Sequence, residues 1–133
     1  MNRTGEVRGL HYDSGKPVNI KFSGGLISSV DEIPMSEELN DIFISPGLID
    51  NQINGYVGVD FSDPALSSIR MRLAVDAIRK DGVTSFFPTI ITGGHENLIR
   101  IFRNLSRGLQ DDEEVRTSVA GFHLEGPYIS PEA

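Results

Sequence analysis

The chain has 133 residues, 38% hydrophobic and 23% charged, a balance that suits a globular fold with an apolar core. Its net charge of -7, with no cluster of Lys and Arg, argues against nucleic acid or an anionic membrane as a partner. The absence of Cys removes disulfides and thiolate zinc sites, and the sequence contains neither a signal-type apolar core after Met1 nor a run of about 18 apolar residues, so a soluble cytoplasmic protein is expected.

Short strands are expected over residues 6–12, 18–22 and 26–33. Two turn-type clusters separate them, Ser14-Gly15-Lys16-Pro17 and Gly24-Gly25, the second a hairpin signal. Residues 1–42 therefore read as a β-meander with edges left to cover.

From residue 43 the pattern changes to strand, helix, strand, helix, strand. In the segment 43–55, alternation places Ile49 and Ile53 on one face and Asp50, Gln52 and Asn54 on the other. Ser62 or Asp63 is expected to cap a helix with Pro64 in its first turn, Leu66, Ile69, Leu73, Ala77 and Ile78 forming its apolar stripe. Gly82 ends that helix.

A strand follows over 83–91, rich in β-branched and aromatic residues, with Pro88 better suited to a strand margin than to a central position. A second helix begins near His95 and carries Leu98, Ile99, Phe102, Leu105 and Leu109. Residues 110–114 read as a solvated acidic connector. A third strand is expected over 118–125. Strands about 35 residues apart with helices between them predict right-handed βαβ units and a parallel sheet, an α/β fold.

The stretch Gly121-Phe122-His123-Leu124-Glu125-Gly126-Pro127-Tyr128 runs an apolar segment into a Gly-Pro turn. Phe122 and Leu124 should face one side, His123 and Glu125 the other. That points Glu125 at the strand tip, where α/β enzymes keep their chemistry. Gly126 and Pro127 shape the turn behind it. Taken alone, a Glu in such a loop is most often merely solvated. His11 and His95 have no assigned role.

Three motifs occur in order: Pro46-Gly47-Leu48-Ile49-Asp50 with Gln52-x-Asn54-Gly55; Gly82-Val83-Thr84-Ser85-Phe86-Phe87-Pro88-Thr89; and His123-Leu124-Glu125-Gly126-Pro127. Together they resemble the N-acetylglucosamine-6-phosphate deacetylase family of the amidohydrolase superfamily. The resemblance is weak before Phe43 and strong after it. It implies that residues 1–42 are part of a small β domain and that 43–133 are the first three strands and intervening helices of a (β/α)8 TIM-type barrel. A complete barrel needs roughly 250 residues, so the chain reads as an N-terminal portion.

The resemblance further implies metal-dependent hydrolysis of the acetamide of N-acetylglucosamine 6-phosphate to glucosamine 6-phosphate and acetate. Glu125 would be a metal ligand. Two His ligands and the Asp general acid and base would lie beyond Ala133, leaving the isolated chain inactive. Gln52 and Asn54 replace the His-x-His of many amidohydrolases, and amides are poorer zinc ligands than imidazole. One divalent ion per site is therefore expected, zinc first, with iron or another divalent ion as alternatives.

Gln52, Asn54, Gly55, His123, Gly126 and Pro127 would line the active-site mouth. His123 reads either as a packing residue or as half of a His-x-Glu ligand pair. The implied partner is a small amino-sugar phosphate, and a homodimer is common in the resembled family. The alternatives are an amidohydrolase acting on another acetamido sugar or a cyclic amide, or a noncatalytic truncated product.

Overall fold

The computed structural model describes residues 4–126. The chain divides into two compact units, Met1–Pro46 and Gly47–Ala133. Among the described residues, no helix is long and apolar enough to cross a membrane.

The first unit is a four-stranded sheet in the order β3-β2-β1-β4, with β1 at Thr4–His11, β2 at Pro17–Ser23, β3 at Leu26–Glu32 and β4 at Phe43–Ile44. Strands β1 to β3 form an antiparallel meander. Its second turn joins Ser23 to Leu26 through Gly24 (φ 61°) and Gly25 (φ 81°), two left-handed residues whose twist matches that of the strands. One face carries Val7, Ile20, Phe22, Ile27, Val30 and Ile44, which line an open apolar concavity.

Phe43 and Ile44 belong to this sheet and not to the segment that follows. They pair in parallel with Leu10 and His11, and Tyr12 N donates to Ile44 O at 3.0 Å. Pro46, which has no N–H to continue a ladder, lies at the boundary. The unit boundary thus falls after residue 46, four residues beyond the expected one at 42.

The second unit is α/β, with a parallel sheet in the order β5-β8-β9. Its elements are β5 (Leu48–Ile53), the hairpin β6 (Gly55–Tyr56) and β7 (Val59–Asp60), α1 (Ser68–Lys80), β8 (Val83–Ile90), α2 (His95–Asp111), α3 (Glu113–Ser118) and β9 (His123–Leu124). Phe61, Met71, Val75, Ile78, Phe86, Ile90, Leu105 and Val115 form the centre of its core. Phe61 and Phe86 are tilted against each other with centroids 5.8 Å apart.

Helix α1 starts six residues later than Ser62. Asp60 Oδ1 accepts from Ser62 N at 2.7 Å and Asp63 Oδ1 from Ala65 N at 2.8 Å, so both Asp side chains close local turns that compete with a helix. Ser67 is the cap, its hydroxyl accepting from Arg70 N. The buried face is Met71, Ala74, Val75 and Ile78, whereas Ile69 (83% exposed) and Leu73 (57%) point away from the core. Of the expected stripe Leu66 and Ile78 are buried, while Ile69 and Leu73 give way to Met71, Ala74 and Val75. Gly82, at φ 90°, ends the turn after α1.

Pro88 lies in the central strand of the sheet. The register beside it is irregular: Asp50 pairs with Phe86 and Ile53 with Pro88, so β5 spends one more residue than β8 there. This irregularity interrupts the simple alternation expected for 49–54; separately, Ile49 is exposed. The acidic run 110–114 is not a loop: Gln110 and Asp111 end α2, Glu113 and Glu114 begin α3, and Asp112 alone lies between the helices. Asp112 caps α3 by accepting from Glu114 N (2.8 Å) and Val115 N (3.2 Å), and Arg72 Nη1 donates to both of its oxygens at 2.9 and 3.0 Å. Because α3 takes up residues as far as Ser118, the last strand shrinks to His123–Leu124, preceded by a bridge from Val119 to Phe86.

Candidate active site

The C-terminal ends of β5, β8 and β9 converge, and the side chains there follow from the pleat. Phe86 is wholly buried in the core beneath the helices, and Phe122 joins it there, meeting Phe102 of α2 edge-on at 5.8 Å. Phe87, His123 and Asn51 line a shallow hollow together with Phe122 and Leu124.

Glu125 is fixed through its backbone on both sides. Its N–H donates to Ile90 O at 2.8 Å, and its carbonyl accepts from Thr92 Oγ1 at 3.0 Å. Gly126 follows at φ 94°, a conformation that favours glycine. The half-buried carboxylate accepts a hydrogen bond through Oε2 from Gln52 Nε2 at 3.2 Å. Among the described residues, Oε1 has no hydrogen-bond partner.

Gln52 is held in turn, its N–H donating to Asp50 Oδ1 at 2.9 Å. His123 Nδ1 lies 3.3 Å from Asn51 O. A carbonyl oxygen can only accept, so Nδ1 is the donor in this contact. Consecutive residues of β5 therefore engage His123 and Glu125 across the intervening strand β8.

Asn54 and Gly55 lie beside this group. Asn54 O accepts from Phe61 N at 2.9 Å, and Gly55 pairs with Asp60 so closely that a Cβ would sit 2.4 Å from Val59 O. Only glycine fits there. Both residues line an open concavity with Tyr56, Asp60, Ser62 and Ile91. The hairpin tip places Val57 at φ 45° and Gly58 at φ 77°, and the β-branched Val57 is strained in that region. Arg70 Nη2 donates to Gly58 O at 2.9 Å, bracing the tip. Tyr56 donates to Asp81, and that bond, with burial and the Asp81 charge, raises the phenol above its ordinary value.

Pro127 lies outside the described residues. Asn51 and Thr92 escaped the sequence reading because they act through a backbone carbonyl and a lone hydroxyl, which carry no motif. Among the described residues, no three His, Cys, Asp or Glu side chains form a group able to hold a metal. The strand end offers one carboxylate, Glu125, and, two residues before it, one imidazole, His123, both donor types that suit zinc and similar divalent ions.

No protein-family profile matches the chain. An N-acetylglucosamine-6-phosphate deacetylase of Danio rerio is 44% identical over 91 residues, covering 67% of this chain and 22% of that protein. An N-acetylgalactosamine-6-phosphate deacetylase of Escherichia coli O157:H7 is 32% identical over 118 residues, covering 85% of this chain and 29% of that protein. The crystal structure of N-acetylglucosamine-6-phosphate deacetylase from Thermotoga maritima matches with a TM-score of 0.74 at 27% identity, covering 95% of this chain and 32% of that one. The chain is thus a relative of these deacetylases and spans about a fifth to a third of their length.

Proposed function

We propose that this chain, a relative of the N-acetylglucosamine-6-phosphate deacetylases, forms the opening part of a cytoplasmic, metal-dependent hydrolase that converts N-acetylglucosamine 6-phosphate to glucosamine 6-phosphate and acetate. The parallel strands β5, β8 and β9 are the first three of a (β/α)8 barrel, and the first unit is part of a small β domain. The observation that carries the reading is Glu125, a carboxylate at the C-terminal end of a parallel strand, gripped through one oxygen by Gln52 and backed by a left-handed glycine. Catalytic groups of barrel enzymes come from this end of the strands.

The residues present suit a divalent ion in part. Glu125 supplies a negatively charged oxygen that no described residue occupies, and Gln52 donates to the other oxygen without cancelling the charge. When bound, such an ion polarises the acetamide carbonyl and makes water nucleophilic near neutral pH. The chain's own residues do the holding: Glu125 is the ligand, His123 is held by Asn51, and Gly126 backs the carboxylate with a left-handed backbone. Two further His ligands and an Asp general acid and base are not among these 133 residues, so the rest of the polypeptide would supply them. By itself the 133-residue chain is expected to be inactive.

A second substrate, N-acetylgalactosamine 6-phosphate, is favoured by the likeness to the Escherichia coli protein. The test measures acetate release by the complete polypeptide that carries this sequence. It compares both sugar phosphates and their unphosphorylated forms, with and without chelator. Turnover of the glucosamine derivative, lost with chelator and restored by Zn2+, is expected. Turnover of only the galacto compound would favour the second substrate, and turnover insensitive to chelator would overturn the metal-dependent reading.

A further inference from the structure

The bond from Gln52 Nε2 to Glu125 Oε2 joins residues 73 apart in sequence and reaches from β5 past β8 to β9. Glu125 has little other freedom left. Its N–H and C=O are both tied, to Ile90 O and Thr92 Oγ1, so only its side-chain torsions are open. A free carboxylate can rotate and present either oxygen, or both. An amide NH2 on Oε2 removes that choice.

The chemistry of the partner also matters. Gln is neutral, so it orients the carboxylate and leaves its full charge available to a cation, whereas Lys or Arg would offset that charge and Glu would repel it. Gln52 can do this because Asp50 Oδ1 holds its own N–H at 2.9 Å, next to the irregularity in β5. We infer that Gln52 is a positioning residue: it holds Oε2 of Glu125 so that Oε1 alone is presented to the divalent ion.

This inference rests on the reading of Glu125 as a cation ligand, and the experiment separates the two. Co2+ is titrated into the chelator-treated complete polypeptide, following affinity and visible absorption, for the parent, Gln52→Leu, Gln52→Asn and Glu125→Gln. The unfolding midpoint of the metal-free protein checks that neither replacement disturbs folding. Gln52→Asn keeps the amide but shortens its reach.

Both Gln52 variants are expected to bind Co2+ about 10- to 100-fold more weakly, the usual cost of losing a group that orients a ligand. Their visible spectrum should change as the freed carboxylate alters the coordination, and the metal-free midpoint should stay put. Parent-like affinity and spectrum in both Gln52 variants, with Glu125→Gln impaired, would overturn the positioning role and leave the ligand standing. Parent-like binding by Glu125→Gln would overturn the ligand itself.

Discussion

Gly47 lies directly against Thr84. A Cβ added to Gly47 would sit 2.0 Å from Thr84 Oγ1 and 2.6 Å from its Cβ, just before β5 begins to pair with β8. A rotamer change moves the hydroxyl but not the Cβ, so Gly47→Ala must displace backbone. The expected loss is about 1–3 kcal/mol, the range for forced overpacking. Urea unfolding of Gly47→Ala, Thr84→Gly and the double variant should show strong coupling, since removing the Thr side chain clears the space. Additive effects would mean that the two residues do not meet.

The orientation of α1 can be checked by a pair of truncations. Ile78 is 1% exposed and Leu73 57% exposed. Ile78→Ala should cost about 2–5 kcal/mol and Leu73→Ala about 0.5 kcal/mol or less. Equal costs in urea unfolding would restore the stripe that includes Leu73.

Asp112 does two jobs that substitution can separate. Asp112→Asn keeps an oxygen for Glu114 N and Val115 N but loses the charge facing Arg72; Asp112→Ala loses both. The step from Asn to Ala should cost about 1 kcal/mol, as for other helix caps. The step from Asp to Asn should shrink in high salt, because the pair is partly exposed and can be screened. A salt-independent difference between Asp and Asn would contradict the ion pair.

In the first unit, Glu6 is held below the ordinary glutamate value, first by the amide of Asn19 at 2.9 Å and then by the charge of Arg8. A carboxyl with a lowered folded-state pKa stabilises the fold fully above its unfolded value and loses that contribution as pH falls through the folded one. Acidification below the ordinary glutamate range should therefore weaken the first unit, and Glu6→Gln should remove that part of the dependence. A carbon-detected NMR titration that finds Glu6 at or above its ordinary value would refute it.

What could be read from sequence was local. The meander was legible because Gly24-Gly25 is a turn signal in itself, and the facing of Phe122 follows from the pleat of adjacent residues. The start of α2 at His95 was legible, whereas the start of α1 and the acidic run were not, because distant or competing side chains decide them: Asp60 and Asp63 close turns, and Asp112 caps α3 while facing an Arg forty residues away. Pro88 in a central strand sits beside a register irregularity in β5 that no motif encodes. At the candidate site, Glu125 carried a motif, whereas its bond to Gln52 required the folded sheet.

The most direct test of the account replaces Glu125 by Gln in the complete polypeptide and measures bound zinc together with acetate release from N-acetylglucosamine 6-phosphate. The account predicts that zinc content and turnover fall together while the protein stays folded. Parent-like zinc content and turnover would contradict it.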